Sequence, residues 1–294
     1  MTSPQHPFEL KKKTKLPLII GAIVVIAVIA GLALFKQNSS HQASAESNVL
    51  KVHYEPTMIG EKNLIEYANE HIAPDYGVKL EAVGVQDPVQ ANRAVNDGEF
   101  AGTIYQHQWW LKQVADANGF KLLPTTEVFQ WAFGIYSDSY ENINELPKNA
   151  VFAIPSDLAN QGQALWLLQR EGLIKLNPAI EPRTAKIKDI QENPHSFKFT
   201  EIELLSMART LDSVDAAIGY VAQFDAGKIP RSKGILFPAA PRTFASRLVI
   251  AEAKKDDPQI VKLQKIFADP RIAEYLKTTD DLNVKGILTP VSED

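Results

Sequence analysis

Residues 49–83 read VLKVHYEPTMIGEKNLIEYANEHIAPDYGVKLEAV, and this stretch decides the fold. Residues 49–54 are a short, largely apolar run that reads as a strand. Within residues 63–72, Leu64, Ile65, Ala68 and Ile72 recur at helical spacing, and residues 78–83 alternate apolar and polar as a strand does. Strand, helix, strand is the unit of an α/β protein. Working outward, the spacing predicts helices at 89–96, 108–118, 161–171, 202–211, 258–267 and 270–277. Strands are expected at 101–105, 133–137, 150–154, 214–218 and 248–251. Asp97-Gly98, Gly119 and Gly172 punctuate helix ends. Alternation of this kind implies mostly parallel sheets with ligands at the strand carboxyl ends. Two such sets fit two lobes with a cleft between them.

The chain has 294 residues and a formal charge of −4, with 45% hydrophobic and 22% charged residues. The charge is uneven. Residues 1–48 hold Lys11, Lys12, Lys13, Lys15 and Lys36 against Glu9 and Glu46, a balance of +3, which leaves −7 on residues 49–294. An acidic body of this size argues against non-specific nucleic-acid binding. The chain contains no cysteine, which excludes disulfides, thiolate metal sites, cysteine nucleophiles and lipidation on cysteine. Residues 16–35, LPLIIGAIVVIAVIAGLALF, carry no charge. At about 1.5 Å per residue they would span roughly 30 Å, the thickness of a bilayer core. The lysines before them place residues 1–15 in the cytoplasm as a basic segment and the body outside. Residues 36–48, polar and small, read as a tether. The same span also reads as a signal, because Ala43-Ser44-Ala45 is an A-x-A cleavage site.

Hydrolase and phosphate-loop signatures (G-x-S-x-G, H-E-x-x-H, G-x-x-x-x-G-K) are absent. The six histidines, His6, His41, His53, His71, His107 and His195, form no i, i+4 pair, so neither a metal site nor a cofactor is expected. The densest unusual stretch is Tyr105-Gln106-His107-Gln108-Trp109-Trp110, which follows a strand and opens a helix. It could form a polar and aromatic box, or its tryptophans could pack into the core. A second stretch, IPSDLANQGQ at 154–163, joins a strand to a strong helix. Ser156, Asp157 or Asn160 could be a plain N-cap, or the helix start could bind a carboxylate.

These residues carry a resemblance. DPVQAN at 87–92 with Gly98, YQHQ at 105–108, FGIYS at 133–137, INELP at 143–147 and FAIPSD at 152–157 with Asn160 are similar to the NlpA/MetQ family. So are LLQREGLIKL at 167–176, DIQENP at 189–194 and VDAA at 214–217. That family comprises the methionine-binding subunits of an ABC importer. The resemblance implies an α/β, two-lobed periplasmic-binding-protein fold (type II-like), here with an N-terminal transmembrane helix or signal anchor. Residues 49–140 plus 244–294 are expected to form lobe 1, and 141–243 lobe 2. The implied function is capture of an amino acid such as methionine and delivery to a permease and its ATPase, with the body in the periplasm at the inner membrane. No catalytic role is expected. A sensor or scaffold without transport, or an enzyme on the same fold, is the alternative.

The sequence also departs from the family pattern. The lipidated cysteine is missing. The family's carboxylate-binding Arg falls on Gln163, a later ligand-binding Asn falls on Gly219, and the Pro-Tyr after Gln-His-Gln becomes Trp109-Trp110. Losing the Arg removes a charge-assisted clamp on a free carboxylate. Arg242 and Arg247, beside Phe244, are candidates to replace it. The ligand-binding residues expected on this basis are Tyr105, His107, Trp109, Trp131, Ser156, Asn160, Gln163, Gly219 and Arg247. Free L-methionine is not expected to be the tightest ligand.

Overall fold

The computed structural model describes residues 48–292. The expected cytoplasmic segment, membrane span and nearly all of the tether therefore lie outside the described residues. No helix among the described residues is long and apolar enough to cross a membrane. In chain order the first elements are β1 (Val49–Tyr54), α1 (Ile59–His71), β2 (Lys79–Gly84), α2 (Pro88–Asn96), β3 (Gly102–Thr103), α3 (Gln108–Asn118) and β4 (Leu122–Trp131). There follow β5 (Phe133–Tyr136), β6 (Val151–Pro155), α4 (Leu158–Arg170), β7 (Lys175–Leu176), β8 (Ile190–Glu192), β9 (Lys198–Ile202), β10 (Ala216–Tyr220), α5 (Val221–Ala226) and β11 (Gly234–Leu236). The chain ends with β12 (Ser246–Ala251), α6 (Pro258–Phe267), α7 (Pro270–Thr278) and β13 (Leu288–Thr289).

Two main sheets result. The first has six strands in the order β13-β4-β12-β3-β1-β2, and the second has five in the order β11-β5-β10-β6-β9. The chain passes from the first sheet to the second between Trp131 and Phe133, ahead of the boundary expected at 140. It returns between Leu236 and Ser246, the interval that holds the boundary expected at 243. The sheets are mixed rather than mostly parallel. β1 runs parallel to β2 and β3, and β6 runs parallel to β9 and β10. However, β4 pairs antiparallel with β12 and β13, and β5 with β10 and β11. The strands on either side of each sheet change supply these antiparallel pairs.

Several elements differ from the sequence pattern. β4 was not expected, because its sequence LLPTTEVFQW does not alternate and contains Pro124. Proline cannot donate to a ladder, and Pro124 sits where the β4–β12 register shifts. The segment 204–213 forms successive 3₁₀ turns instead of an α-helix. There Thr210 Oγ1 donates to Met207 O and Ser213 Oγ to Thr210 O, each at 2.8 Å, drawing the carbonyls into local i−3 bonds. Elsewhere local signals set the elements. Asp87 caps α2 by accepting from Val89 N and Gln90 N, with Pro88 at the first helical position. Leu64, Ile65 and Ala68 are the buried face of α1. They join a cluster that runs through Val52, Ile104 and Phe129 into Ile135, Phe152 and Ile218 of the second sheet. Gly162 is needed for close approach. A Cβ on Gly162, inside α4, would lie 2.4 Å from Arg183 O, so only glycine lets the turn at Pro182–Thr184 pack there.

Candidate functional site

A cavity of about 250 Å3 opens at the carboxyl ends of strands from both sheets. From the first sheet, Glu55 follows β1, Gln86 follows β2, Tyr105 to His107 follow β3, and Trp131 ends β4. Glu61 of α1 and Trp110 of α3 complete that wall. From the second sheet, Ser156, Asp157 and Asn160 follow β6, Glu203 to Leu205 follow β9, and Tyr220 ends β10, with Gln223 from α5. Strand ends leave backbone and side chains free of the ladder, which is why α/β folds collect ligands there.

A buried polar chain joins the two walls. His107 caps α3 through Nδ1, which accepts from Trp110 N at 3.2 Å. The remaining ring proton therefore belongs on Nε2, which donates to Asn160 Oδ1 across the two sheets at 3.3 Å. Tyr220 donates its hydroxyl hydrogen to the same region, shared between Asn160 Oδ1 at 2.8 Å and Gln163 Oε1 at 2.9 Å. Asn160 Nδ2 in turn donates to both carboxylate oxygens of Asp157. Burial holds the His107 imidazole neutral, lowering its pKa to about 4 against the opposing bond to Asn160. Burial likewise raises the phenols of Tyr105 and Tyr220 well above their usual value. Tyr105 is fixed by Asn92 Nδ2, which donates to its hydroxyl at 3.0 Å, and its carbonyl accepts from Trp131 Nε1 at 3.2 Å.

The expected site residues divide. Tyr105, His107, Trp131, Ser156 and Asn160 line the cavity, whereas Trp109, Gln163, Gly219 and Arg247 do not. Trp109 points away because successive helical residues are turned by about 100°. Its Nε1 donates to Thr243 O at 3.0 Å, and the Arg183 guanidinium lies 4.1 Å above its ring. Its neighbour Trp110 takes the place in the wall and meets Tyr105 edge-on at 5.6 Å. Gln163 lies behind Tyr220. Gly219 is covered: a Cβ there would meet Phe224 at 3.2 Å, Met207 at 3.5 Å and Gln223 Oε1 at 3.6 Å. Arg242 and Arg247 both serve Glu127, and Arg247 also donates to Thr125 O at 3.2 Å. Neither reaches the cavity. At the start of α4 the Asp157 carboxylate accepts from Asn160 N, so a side-chain carboxylate already sits at the helix end where a ligand carboxylate would bind.

Other lining residues were missed from the sequence. Glu55 directly follows β1 and Tyr220 ends β10, so the strand-end rule could have found both. Glu61 is 0% exposed. Glu55 N donates to its Oε2 at 2.8 Å, while Oε1 has no partner among the described residues. Burial pushes its carboxyl pKa well up, against the Glu55 amide, and the Glu55 charge adds to the rise. Gln223 Oε1 is also buried without a partner among the described residues. Among the described residues no lysine or arginine lines the cavity, whereas Glu55, Glu61, Asp157 and Glu203 do. No group of three or more metal-ligating side chains is placed to hold a metal among the described residues.

The chain is 27% identical over 252 residues to the D-methionine-binding lipoprotein MetQ of Escherichia coli K12, covering 84% of this chain and 90% of that protein. A nutrient-binding protein from Burkholderia cenocepacia, solved bound to methionine, matches with a TM-score of 0.68 and 26% identity, over 82% of this chain and 98% of that one. A periplasmic substrate-binding protein of an ABC transporter from Coxiella burnetii matches with a TM-score of 0.71 and 25% identity, over 82% and 99%. The model of the NlpA lipoprotein family matches residues 57–287, and the chain belongs to that family.

Proposed function

We propose that this chain is the substrate-binding component of an ABC importer. It captures an amino acid such as methionine, or a related small ligand, in the cleft between its two lobes and hands it to the permease. The observation that carries this reading is the cavity itself. Its two walls come from strand ends of different sheets, linked by His107 on one side and Asn160 and Tyr220 on the other. A ligand held between such walls favours their approach, and release follows when they part. The aromatic rings of Tyr105, Trp110, Trp131 and Tyr220 provide apolar surface, and few polar groups converge on it, as in small-molecule sites generally. Relatives named for methionine binding support the class of ligand. With no cysteine to lipidate, residues 16–35 serve as the anchor in this reading, and they hold the body on the extracytoplasmic face of the inner membrane.

Mass spectrometry of small molecules released from the purified, denatured protein tests the reading. One small molecule in near-stoichiometric amount is expected. A protein that carries none, and whose melting temperature no amino acid or amino-acid derivative shifts, would refute it.

A further inference from the structure

Among the described residues the cavity lining is acidic, with Glu55, Glu61, Asp157 and Glu203 and no lysine or arginine. A fully buried carboxyl group with an unpaired oxygen is costly to keep, and proteins normally supply it a cation or hydrogen-bond donors. Glu61 has one donor, the Glu55 amide, on Oε2 and none on Oε1. Gln223, 8% exposed, presents a second buried oxygen without a partner among the described residues, in the facing wall. Three acidic side chains besides Glu61, those of Glu55, Asp157 and Glu203, line the same space, and among the described residues no lysine or arginine does. The three groups that could have received a ligand carboxylate are committed elsewhere. Arg242 and Arg247 are paired with Glu127, and the α4 start is capped by Asp157.

We propose that the cavity selects a small organic primary ammonium ion on an apolar or aromatic stem, and that a free carboxylate on the ligand weakens binding. This narrows the ligand class of the importer reading and rests on it. A primary ammonium has three N–H donors for the oxygens of Glu61 and Gln223, whereas a quaternary one has none. The faces of Trp110, Trp131 and Tyr105 favour a cation and an apolar stem alike. A carboxylate would meet Asp157 and Glu55 with no counter-charge. The cavity lies below the usual range of roughly 300–1,000 Å3 for ligand pockets, which limits the stem to a few carbons.

Three probes with one thioether stem separate the possibilities: 3-(methylthio)propylamine, L-methionine and 3-(methylthio)propanoate. The full chain in detergent, dialysed from mild denaturant to remove carried molecules, is titrated by calorimetry. The amine is expected to bind about tenfold or more tightly than L-methionine, and the acid to give no heat, because a charge-assisted hydrogen bond is worth a decade or more. Glu61→Gln is expected to weaken the amine about tenfold, and Gln223→Leu to weaken it less, each read on protein that still melts in one cooperative transition. The wild-type order of the probes stands as a test even where a variant folds poorly. L-methionine binding as tightly as the amine, or Glu61→Gln leaving the amine's affinity intact, overturns the inference. Tight L-methionine binding would do so while supporting the importer reading. Silence from all three probes also overturns it, and the importer reading then stands or falls on the mass of the carried molecule.

Discussion

Acidification should destabilise this fold through His107, by an amount the structure sets. The ring is 3% exposed, its Nδ1 is occupied by Trp110 N, and its Nε2 faces Asn160. A second proton must enter on Nδ1, break the cap of α3 and place a charge out of water. Burial lowers the folded pKa from 6.5 to about 4. The unfolded chain takes that proton near pH 6.5 and the folded one refuses it until about pH 4. The stability from a neutral His107 is therefore fully present above pH 6.5 and is lost as pH falls through that window. At 1.36 kcal/mol per pKa unit, the loss amounts to about 3 kcal/mol. Glu61 acts with the opposite sign, since its folded pKa is raised, so the wild-type curve alone is not diagnostic. The difference between wild type and His107→Gln cancels Glu61 and every other shared group. Urea unfolding followed by tryptophan fluorescence at pH 7, 6, 5 and 4 measures it. The wild-type advantage at pH 7 should shrink by about 3 kcal/mol at pH 4. A difference constant to about 0.5 kcal/mol across that range, near the precision of the extrapolation, would refute the argument that burial keeps His107 neutral.

Three further outcomes are expected. Tyr220→Phe removes the hydroxyl that Asn160 and Gln163 share; it should cost about 1–3 kcal/mol and lower the melting temperature by several degrees in a calorimetric scan. Trp110→Ala should weaken the native ligand about tenfold or more, while Trp109→Ala, which loses only the Thr243 and Arg183 contacts outside the cavity, should change affinity far less. Equal losses in a calorimetric titration would mean that the helix presents the other indole. Gly162→Ala should destabilise by about 1–3 kcal/mol in chemical unfolding, because its Cβ would press on the Arg183 carbonyl, and a neutral result would show that the turn can yield.

Much of this protein was decided by local pattern. Residues 49–83 alone specify strand, helix and strand, since apolar spacing follows from a period of two or 3.6 residues, and β1, α1 and β2 form close to the expected bounds. The helix punctuation at Asp87 and Gly119 is equally local, because a cap bonds within three residues of itself. Strand-end placement is local too, and it sets Tyr105, His107, Ser156 and Asn160 around one cavity. What the tertiary structure alone decided is which side chain meets which. β4, with its proline, is a strand because β12 and β13 pair with it, not because its own residues alternate. Trp109 and Trp110 are the same residue type at adjacent positions. Their roles separate only because Thr243, 134 residues away, and Arg183 hold one of them outside the cavity. Arg247 looked free to bind a ligand until the fold laid Glu127 beside it. Glu61 carries no signal in the sequence, where the helical spacing begins only at residue 63; the fold removes it from water, and among the described residues no lysine or arginine lines the cavity beside it. Backbone conformation answers to near neighbours in the chain, but the charge of a cavity is a sum over residues that only folding brings together.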